Sequence, residues 1–176
     1  MTKLFATIVA AGFGLAFAAT GHAATKTVTV NAIDATGVKA AIGTIKFRDS
    51  RQGLVVEPQI KGLPAGLHGF HIHETANCGP GTQNNQAVAG LAAGGHYDPA
   101  ATKKHEGPHG AGHLGDMPAL WVDADGSATL PVLAKRMKTK DIAGRAVIVH
   151  AGGDNYADAP AALGGGGARI ACGLVK

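Results

Sequence analysis

The chain has 176 residues and a formal net charge of +4, which falls to +3 without Lys3 near its start. This length suits one domain with a core of its own. The positive charge is too weak and too dispersed to indicate nucleic-acid binding. The 27 glycines and the low aromatic fraction of 5% are typical of a β protein with long ordered loops, and they argue against a helical bundle.

Residues 1–23 have the pattern of a secretory signal. Lys3 supplies the positive start, residues 4–19 form an apolar run, and Gly21-His22-Ala23 offers small residues for cleavage. The alternative is a membrane anchor, but the run is short for a span and no stop-transfer flank follows it. We therefore expect cleavage after Ala23, a mature domain at residues 24–176, and no membrane span in the mature chain.

Four segments in the first half of the mature domain have strand patterns. Val28 and Val30 alternate with threonines, which predicts a strand with one buried face. Pro58 cannot donate to a ladder, so its strand is expected to be bent or to lie at an edge. The predicted strands are residues 25–32, 41–47, 54–60 and 67–73.

Long loops and short strand patterns alternate in the second half. Residues 74–118 lack periodicity, and a loop of that length in a compact domain is usually functional. Asp125-Gly126 predicts a hairpin turn between two strands. The predicted elements here are strands at 118–124, 127–133, 146–150 and 169–175, a loop or one helical turn at 135–144, and a second long loop at 151–168. About eight strands with little helix predict an all-β antiparallel sandwich or barrel.

Six of the nine histidines lie in the 46 residues from His71 to Asp116. Imidazole is costly to bury unpaired, whereas neutral imidazole is a common ligand of zinc and copper. Because side chains alternate along a strand, His71 and His73 project from one face and can converge on a single ion. His68 is out of phase with them, and we interpret it as a hydrogen-bonded histidine that locks a loop.

The remaining ligands divide into two groups. His96, His105, His113 and Asp116 provide three imidazoles and a carboxylate, which suits tetrahedral zinc. His71, His73 and His150 then form a three-nitrogen set that needs a fourth ligand, and an imidazole shared between two metals is the economical solution. The two cysteines, Cys78 and Cys172, indicate one disulfide in an exported protein, closing a loop of about 95 residues.

With these motifs in place, the chain resembles the bacterial periplasmic branch of the Cu,Zn superoxide dismutase family over nearly the whole mature domain. The motifs that carry the resemblance occur in the family's order: His71-Ile72-His73, Gly95-His96, His105, His113 with Asp116, His150, and Gly167-Ala168-Arg169 through Cys172-Gly173. The resemblance implies an eight-stranded antiparallel Greek-key barrel with two long functional loops. It also implies a Cys78–Cys172 disulfide and a periplasmic location.

The resemblance further implies the site and its reaction. Copper would be bound by His71, His73, His96 and His150, and zinc by His96, His105, His113 and Asp116, with His96 as the bridging ligand. Arg169 matches the family's active-site arginine, which would hold the superoxide anion. Asp154 matches an aspartate that hydrogen-bonds one ligand of each metal. The implied enzyme dismutes superoxide to dioxygen and hydrogen peroxide by alternate reduction and reoxidation of copper, with His96 donating a proton.

Two other functions remain open at this point. A copper-binding or chaperone-like module of the same fold would bind metal without turnover, although such proteins tend to lose copper ligands or the arginine. A zinc hydrolase would need an open zinc position, and the four zinc ligands already fill the shell.

Several positions have no settled role in the sequence. The loop at 151–168 contains the acids Asp154 and Asp158 but no lysine, so Lys103 and Lys104 are the nearest candidates for steering the anion; the alternative is that they serve solubility. His109 has no place in the ligand set, and we expect it to be an exposed loop residue. Trp121 fits either a core or a subunit contact. A monomer and a homodimer both remain open, with a slight preference for the homodimer.

Overall fold

The computed structural model describes residues 23–176 and contains almost only strands. No helix among these residues is long and apolar enough to cross a membrane, and the predicted signal at residues 1–23 lies almost entirely outside them. The strands are β1 (Thr25–Asp34), β2 (Gly37–Ser50), β3 (Gly53–Ile60), β4 (Gly66–His68), β5 (Phe70–His73), β6 (Gly81–Gln83), β7 (Gln86–Val88), β8 (Leu120–Val122), β9 (Val132–Ala134), β10 (Arg145–His150) and β11 (Arg169–Val175).

All the strand pairs are antiparallel. Seven strands follow the order β5-β10-β11-β1-β2-β3-β9, and β4 pairs separately with β8. Since only Gly69 separates β4 from β5, these two segments act as one bent strand that joins β8 to the larger sheet. The result is the predicted eight-stranded Greek-key barrel, with β6 and β7 as an additional hairpin inside a loop.

The barrel interior is built from the alternating apolar residues of the first strands. Val28 on β1 lies opposite Ile45 on β2, and Phe47 continues the same inner face; all three are buried. Full burial of one such side chain contributes about 1.5–3 kcal/mol. The inner faces of the remaining strands complete a single core, which confirms the strand alternation predicted from the sequence.

The predicted hairpin across Asp125-Gly126 is wrong, although the turn itself forms. Gly126 N–H donates to the carbonyl oxygen of Asp123 at 2.9 Å. However, β8 pairs with β4 and β9 pairs with β3, so the chain crosses between the two sides of the barrel after the turn. Pairing across the turn is limited to Asp123 and Ser127, because the backbone of Ala128 bonds to Ile60 at the end of β3.

The loops contain the short remaining elements. A single helical turn, α1 (Thr139–Ile142), occurs where a loop or helical turn was predicted, and three 3₁₀ turns lie at Leu91–Ala93, Gly107–His109 and Ala162–Gly165. The hairpin of β6 and β7 was not predicted. It closes through Asn84 and Asn85, whose φ angles of 51° and 61° belong to the left-handed region that asparagine tolerates in tight turns.

The disulfide between Cys78 and Cys172 fastens the first long loop to β11. Its Cα atoms lie 5.7 Å apart across a sequence separation of 94 residues. Both cysteines belong to a small second core beside the barrel, with Ile33, Ala93 and Ile148 among its members. The bond therefore anchors the segment that leads from β5 towards His96.

Candidate metal centre

Two neighbouring strands place the first three histidines of the site. On β5, His71 and His73 lie opposite Ile148 and Ala146 of β10, and His150 ends β10. All three imidazoles are buried. Because His71 and His73 are two residues apart on a strand, they project from the same face, as predicted.

These histidines meet a fourth one, His96, from the first long loop. One ring nitrogen from each of His71, His73, His96 and His150 lies within 4.8 Å of the others. The Nε2 atoms of His73 and His150 are 3.4 Å apart, and the backbone of His73 pairs with that of His96. Four buried imidazoles at this distance form a set that suits copper.

A second group surrounds the carboxylate of Asp116. Its oxygens lie 2.8 Å from His96 Nδ1, 3.0 Å from His105 Nδ1 and 3.5 Å from His113 Nδ1. Ligand atoms of His71, His96, His105 and Asp116 also lie within 4.8 Å of one another. His113, which the sequence assigns to the zinc set, is outside that group of four, and its Nδ1 is the farthest of the three from Asp116. Three imidazoles around one buried carboxylate match the donor types of a tetrahedral zinc site.

The ring nitrogens that lack hydrogen bonds identify the atoms available to metals. His71 Nε2–H donates to Asp154 at 2.7 Å, and His73 Nδ1–H donates to the carbonyl oxygen of Gly94 at 2.9 Å. Among the described residues, most of the buried side-chain atoms without a partner are ligand atoms of these two groups: His71 Nδ1, His96 Nε2, His105 Nδ1, His113 Nδ1 and Asp116 Oδ2. Buried polar atoms are costly when unpaired, so this pattern fits two bound metal ions.

The ring of His96 lies between the two groups. Its Nδ1 faces Asp116 at 2.8 Å, while its Nε2 is buried and has no hydrogen-bond partner. The ring stacks on His71 with centroids 3.9 Å apart, and its centroid lies 5.3 Å from that of His105. One nitrogen is thus directed to each group, as a shared ligand requires.

Asp154 connects the two groups through hydrogen bonds to one histidine of each. Its buried carboxylate accepts hydrogen bonds from His71 Nε2 at 2.7 Å and from His105 Nε2 at 2.8 Å. The N–H of Tyr156 also donates to it at 2.8 Å. A carboxylate in this position fixes the ring orientation and the tautomer of both histidines.

The electrostatics of the two groups differ. Burial, reinforced by neighbouring imidazoles, lowers the pKa of His96 to about 4 and that of His150 to about 3. Burial also opposes a charge on His105, but the close contact of its Nδ1 with Asp116 and the hydrogen bond that its Nε2 donates to Asp154 outweigh burial and raise the pKa of His105 to about 9. Burial raises the pKa of the Asp116 and Asp154 carboxyl groups, but His105, together with His96 at Asp116 and His71 at Asp154, outweighs burial and holds both pKa values well below the usual value.

Arg169 lies at the start of β11, and its backbone pairs with His150. Its guanidinium donates to the carbonyl oxygens of Gly90 at 2.6 Å and Gly94 at 2.8 Å. Gly94 also accepts the hydrogen bond from His73, so one carbonyl connects the arginine to a histidine of the first group. The guanidinium is therefore held at a fixed position close to that group.

The other residues singled out in the sequence have simpler environments. His68 is buried, with ring nitrogens 2.7 and 2.8 Å from the carbonyl oxygens of His150 and Pro64, which confirms its role in locking a loop. His109, Lys103 and Lys104 are exposed. Trp121 is 45% exposed, so it is not a core residue.

Comparison with known proteins identifies the family. The model of the copper/zinc superoxide dismutase (SODC) family matches residues 41–175, which include every residue of both groups. The chain belongs to the copper/zinc superoxide dismutase family.

Relatives of this family are similar over most of the chain. Superoxide dismutase [Cu-Zn] of Escherichia coli (strain K12) is 51% identical over 160 residues, covering 90% of this chain and 92% of that protein. The Cu/Zn superoxide dismutase from Brucella abortus is 44% identical with a TM-score of 0.86. The monomeric copper, zinc superoxide dismutase from Salmonella enterica is 50% identical with a TM-score of 0.79. Each structure covers 87% of this chain and is itself covered completely.

Two features of this superoxide dismutase could not be found by sequence reasoning. The carbonyl oxygens of Gly90 and Gly94, which hold Arg169, are backbone groups with no sequence signal. Arg136 donates to the carbonyl oxygen of Gly112 from a segment predicted only as a loop or helical turn. Both contacts depend on how distant loops meet in the folded barrel.

Proposed function

We propose that this protein is a superoxide dismutase that converts superoxide to dioxygen and hydrogen peroxide, with copper and zinc as its cofactors. The observation that carries the proposal is the position of His96, which belongs to the buried group of His71, His73 and His150 and whose Nδ1 faces Asp116. The relatives from Escherichia coli, Brucella abortus and Salmonella enterica support it, because all three are named as copper/zinc superoxide dismutases.

The unpaired atoms support one assignment of ligands to metals. Copper would be held by His71 Nδ1 and by the Nε2 atoms of His73, His96 and His150. Zinc would be held by Asp116 and by the Nδ1 atoms of His96, His105 and His113. In His71 and His105 these are the nitrogens without a hydrogen-bond partner. In His73 and His150 they are the nitrogens that face each other at 3.4 Å, while the other nitrogen of each ring contacts a backbone carbonyl.

When bound, copper supplies one-electron redox chemistry, and zinc supplies positive charge without redox activity. The overall reaction takes two superoxide anions and two protons and yields one dioxygen and one hydrogen peroxide. His96 Nε2, when it is not bound to copper, would hold one of these protons and give it to the departing peroxide. The contact at Nδ1 keeps the ring oriented for this transfer.

Arg169 binds the substrate anion in this proposal. A guanidinium stays protonated at neutral pH and offers several donors in a fixed plane. Because two backbone carbonyls hold the side chain, little reorganisation is needed when superoxide arrives. A positive group fixed beside the reacting atoms stabilises negative charge as it develops.

Metal content and dismutation, measured together on the purified mature chain, test this function. We expect near-equal copper and zinc together with fast loss of superoxide. Copper without turnover would support the alternative, a copper-binding or chaperone-like module of the same fold. Zinc alone would contradict both functions.

We also propose that residues 1–23 are a signal, that residues 24–176 are the mature domain, and that the protein works in the periplasm of a Gram-negative bacterium. The apolar run in residues 4–19 and the similarity to proteins of Escherichia coli and Salmonella support this. Osmotic-shock extracts should release a chain that begins at Ala24. A chain that keeps residues 1–23, or that stays with the cytoplasmic fraction, would contradict the proposal.

For the oligomeric state, we propose a homodimer that contacts through Leu67 and Trp121. These two residues are cross-strand partners on β4 and β8 and are 54% and 45% exposed. The similar protein from Salmonella enterica is described as monomeric, so the question needs a direct mass measurement. Sedimentation should give a dimer for the mature chain and a monomer for Trp121→Glu, and a monomer for both would contradict the contact.

A further inference from the structure

One arginine outside the loop between β5 and β8 binds the backbone that precedes Asp116. Arg136 lies between β9 and α1, and it is half-buried. Its Nη1 donates to the carbonyl oxygen of Gly112 at 3.1 Å, and its Nη2 donates to that of His113. The carbonyl oxygen of Gly107 lies 3.5 Å from the same Nη2. One guanidinium thus contacts three carbonyl groups of one loop.

These contacts lead directly to the backbone of two residues in the proposed zinc set. The carbonyl oxygen of His113, which accepts from Arg136, also accepts the N–H of Asp116 at 3.4 Å. The N–H of His113 donates to the carbonyl oxygen of Lys104 at 2.9 Å. Lys104 directly precedes His105, so the loop closes on itself between two zinc ligands.

The loop leaves little room for another arrangement. A Cβ atom on Gly112 would lie only 2.2 Å from the carbonyl oxygen of Lys104. Residues 104 and 112 therefore lie in direct contact, and the guanidinium donates to the carbonyl oxygens of Gly112 and His113 beside that contact. Displacement of Arg136 would leave these carbonyls without their charged donor.

The charge of Arg136 is satisfied by carbonyl groups alone. No carboxylate lies within ion-pair distance of it among residues 23–176, and its Nε is buried without a hydrogen-bond partner. An arginine that only served surface charge would be exposed or paired with an acid. Its contacts instead hold the backbone of the loop that carries His113 and Asp116, so it would be an outer partner of these ligands that acts through the backbone.

We propose that Arg136 is a positioning residue for zinc, which holds His113 and Asp116 in place before the metal arrives. The inference rests on the proposed function, because it assumes that His113 and Asp116 bind zinc. It adds a specific role: Arg136 acts on His113 and Asp116 of the zinc set and leaves the copper ligands on β5 and β10 unaffected.

The test measures Zn²⁺ and Cu⁺ affinity of the metal-free mature chain by competition with chromophoric chelators, without any activity assay. We expect Arg136→Gln to weaken zinc binding about 10- to 100-fold, the usual effect of losing an outer partner, and to change copper binding less than threefold. Arg136→Lys should recover part of the loss, because an ammonium group keeps the charge and three donors. The matched control is Arg48→Gln, which removes an arginine that faces Glu57 on the barrel.

A second measurement keeps the inference testable without metal. Hydrogen exchange in metal-free Arg136→Gln should be faster in residues 104–116 and unchanged in β10. Zinc affinity within fivefold of the unmodified chain would overturn the inference, as would an equal loss for both metals, which indicates a general loss of stability. Failure of the unmodified chain to bind zinc would instead contradict the zinc assignment itself, and the inference with it.

Discussion

At the scale of single residues, two carboxylates organise the metal centre. Asp116 lies among the Nδ1 atoms of three histidines, and Asp154 connects His71 to His105. Both carboxylates are buried, so their charge interacts strongly with the imidazoles in a low-dielectric environment. Asp116 is available to bind a metal, whereas Asp154 orients rings that do.

Asp154→Asn should weaken the binding of both metals. His71 and His105 donate to different oxygens of Asp154, and asparagine replaces one of these oxygens with an NH₂ group that cannot accept. We therefore expect zinc affinity to fall about 10- to 100-fold and copper affinity to fall less. In the metal-free chain, the pKa of His105 should move down from about 9, which NMR titration measures. Asp125→Asn, in the turn before Ser127, is the control. An unchanged pKa for His105 in Asp154→Asn would contradict this account of the site.

Arg169→Gln should slow dismutation without removing metal. Loss of the fixed positive charge should lower kcat/KM at least about 10-fold, because positive charge near an anion site typically raises association rates 10- to 10³-fold. The rate should also become less dependent on ionic strength. Pulse radiolysis at several salt concentrations measures both effects. An unchanged rate, with full metal content, would show that Arg169 does not bind the anion.

At the scale of elements, the site depends on loops that are fastened to a rigid barrel. The strands β5 and β10 place three of the histidines, but His96, His105 and His113 come from the loop between β5 and β8. The disulfide joins this loop to β11. The carbonyl of Gly94, in the same loop, holds both His73 and Arg169.

Removal of the disulfide by Cys78→Ser with Cys172→Ser should destabilise the protein and loosen its active site. Loss of a native disulfide typically costs about 2–5 kcal/mol in the free energy of unfolding, which urea denaturation of the metal-free chain measures. Hydrogen exchange should increase in residues 74–95 more than in β1 and β2. Equal stability in the presence and absence of the bond would contradict its role as the anchor of the loop.

The elements also show what a sequence can and cannot predict. The alternation of Val28 and Val30 predicts β1 because burial of one face leaves a local pattern, and the density of histidines predicts the metal site. The partners of β8 and β9 could not be predicted, because the Asp125-Gly126 turn is local whereas the choice of partner depends on the whole barrel. The hairpin of β6 and β7 was missed because its short strands are mostly exposed and therefore need no alternation of apolar and polar residues in the sequence.

At the scale of the whole molecule, folding brings together buried histidines that favour opposite protonation states. His96 and His150 are stabilised in the neutral form, whereas His105 is stabilised in the charged form between two carboxylates. A pKa that differs between the folded and unfolded chain makes stability depend on pH.

The metal-free mature chain should therefore be most stable near the ordinary histidine pKa of about 6.5. The contributions of His96 and His150 are present above that pH and are lost as pH falls towards 4 and 3. The contribution of His105 is present below it and is lost as pH rises through about 9. Urea unfolding between pH 4 and pH 9.5 should show this maximum. Stability that rises steadily up to pH 9.5 would contradict it.

The shared ring of His96 is the central claim, and anomalous diffraction from crystals of the metal-loaded mature chain tests it most directly. Data collected on either side of the copper and zinc absorption edges distinguish the two ions. We predict a copper peak beside Nε2 of His96 and a zinc peak beside Nδ1 of the same ring. Two peaks that do not share this imidazole, or one metal at both positions, would contradict the account.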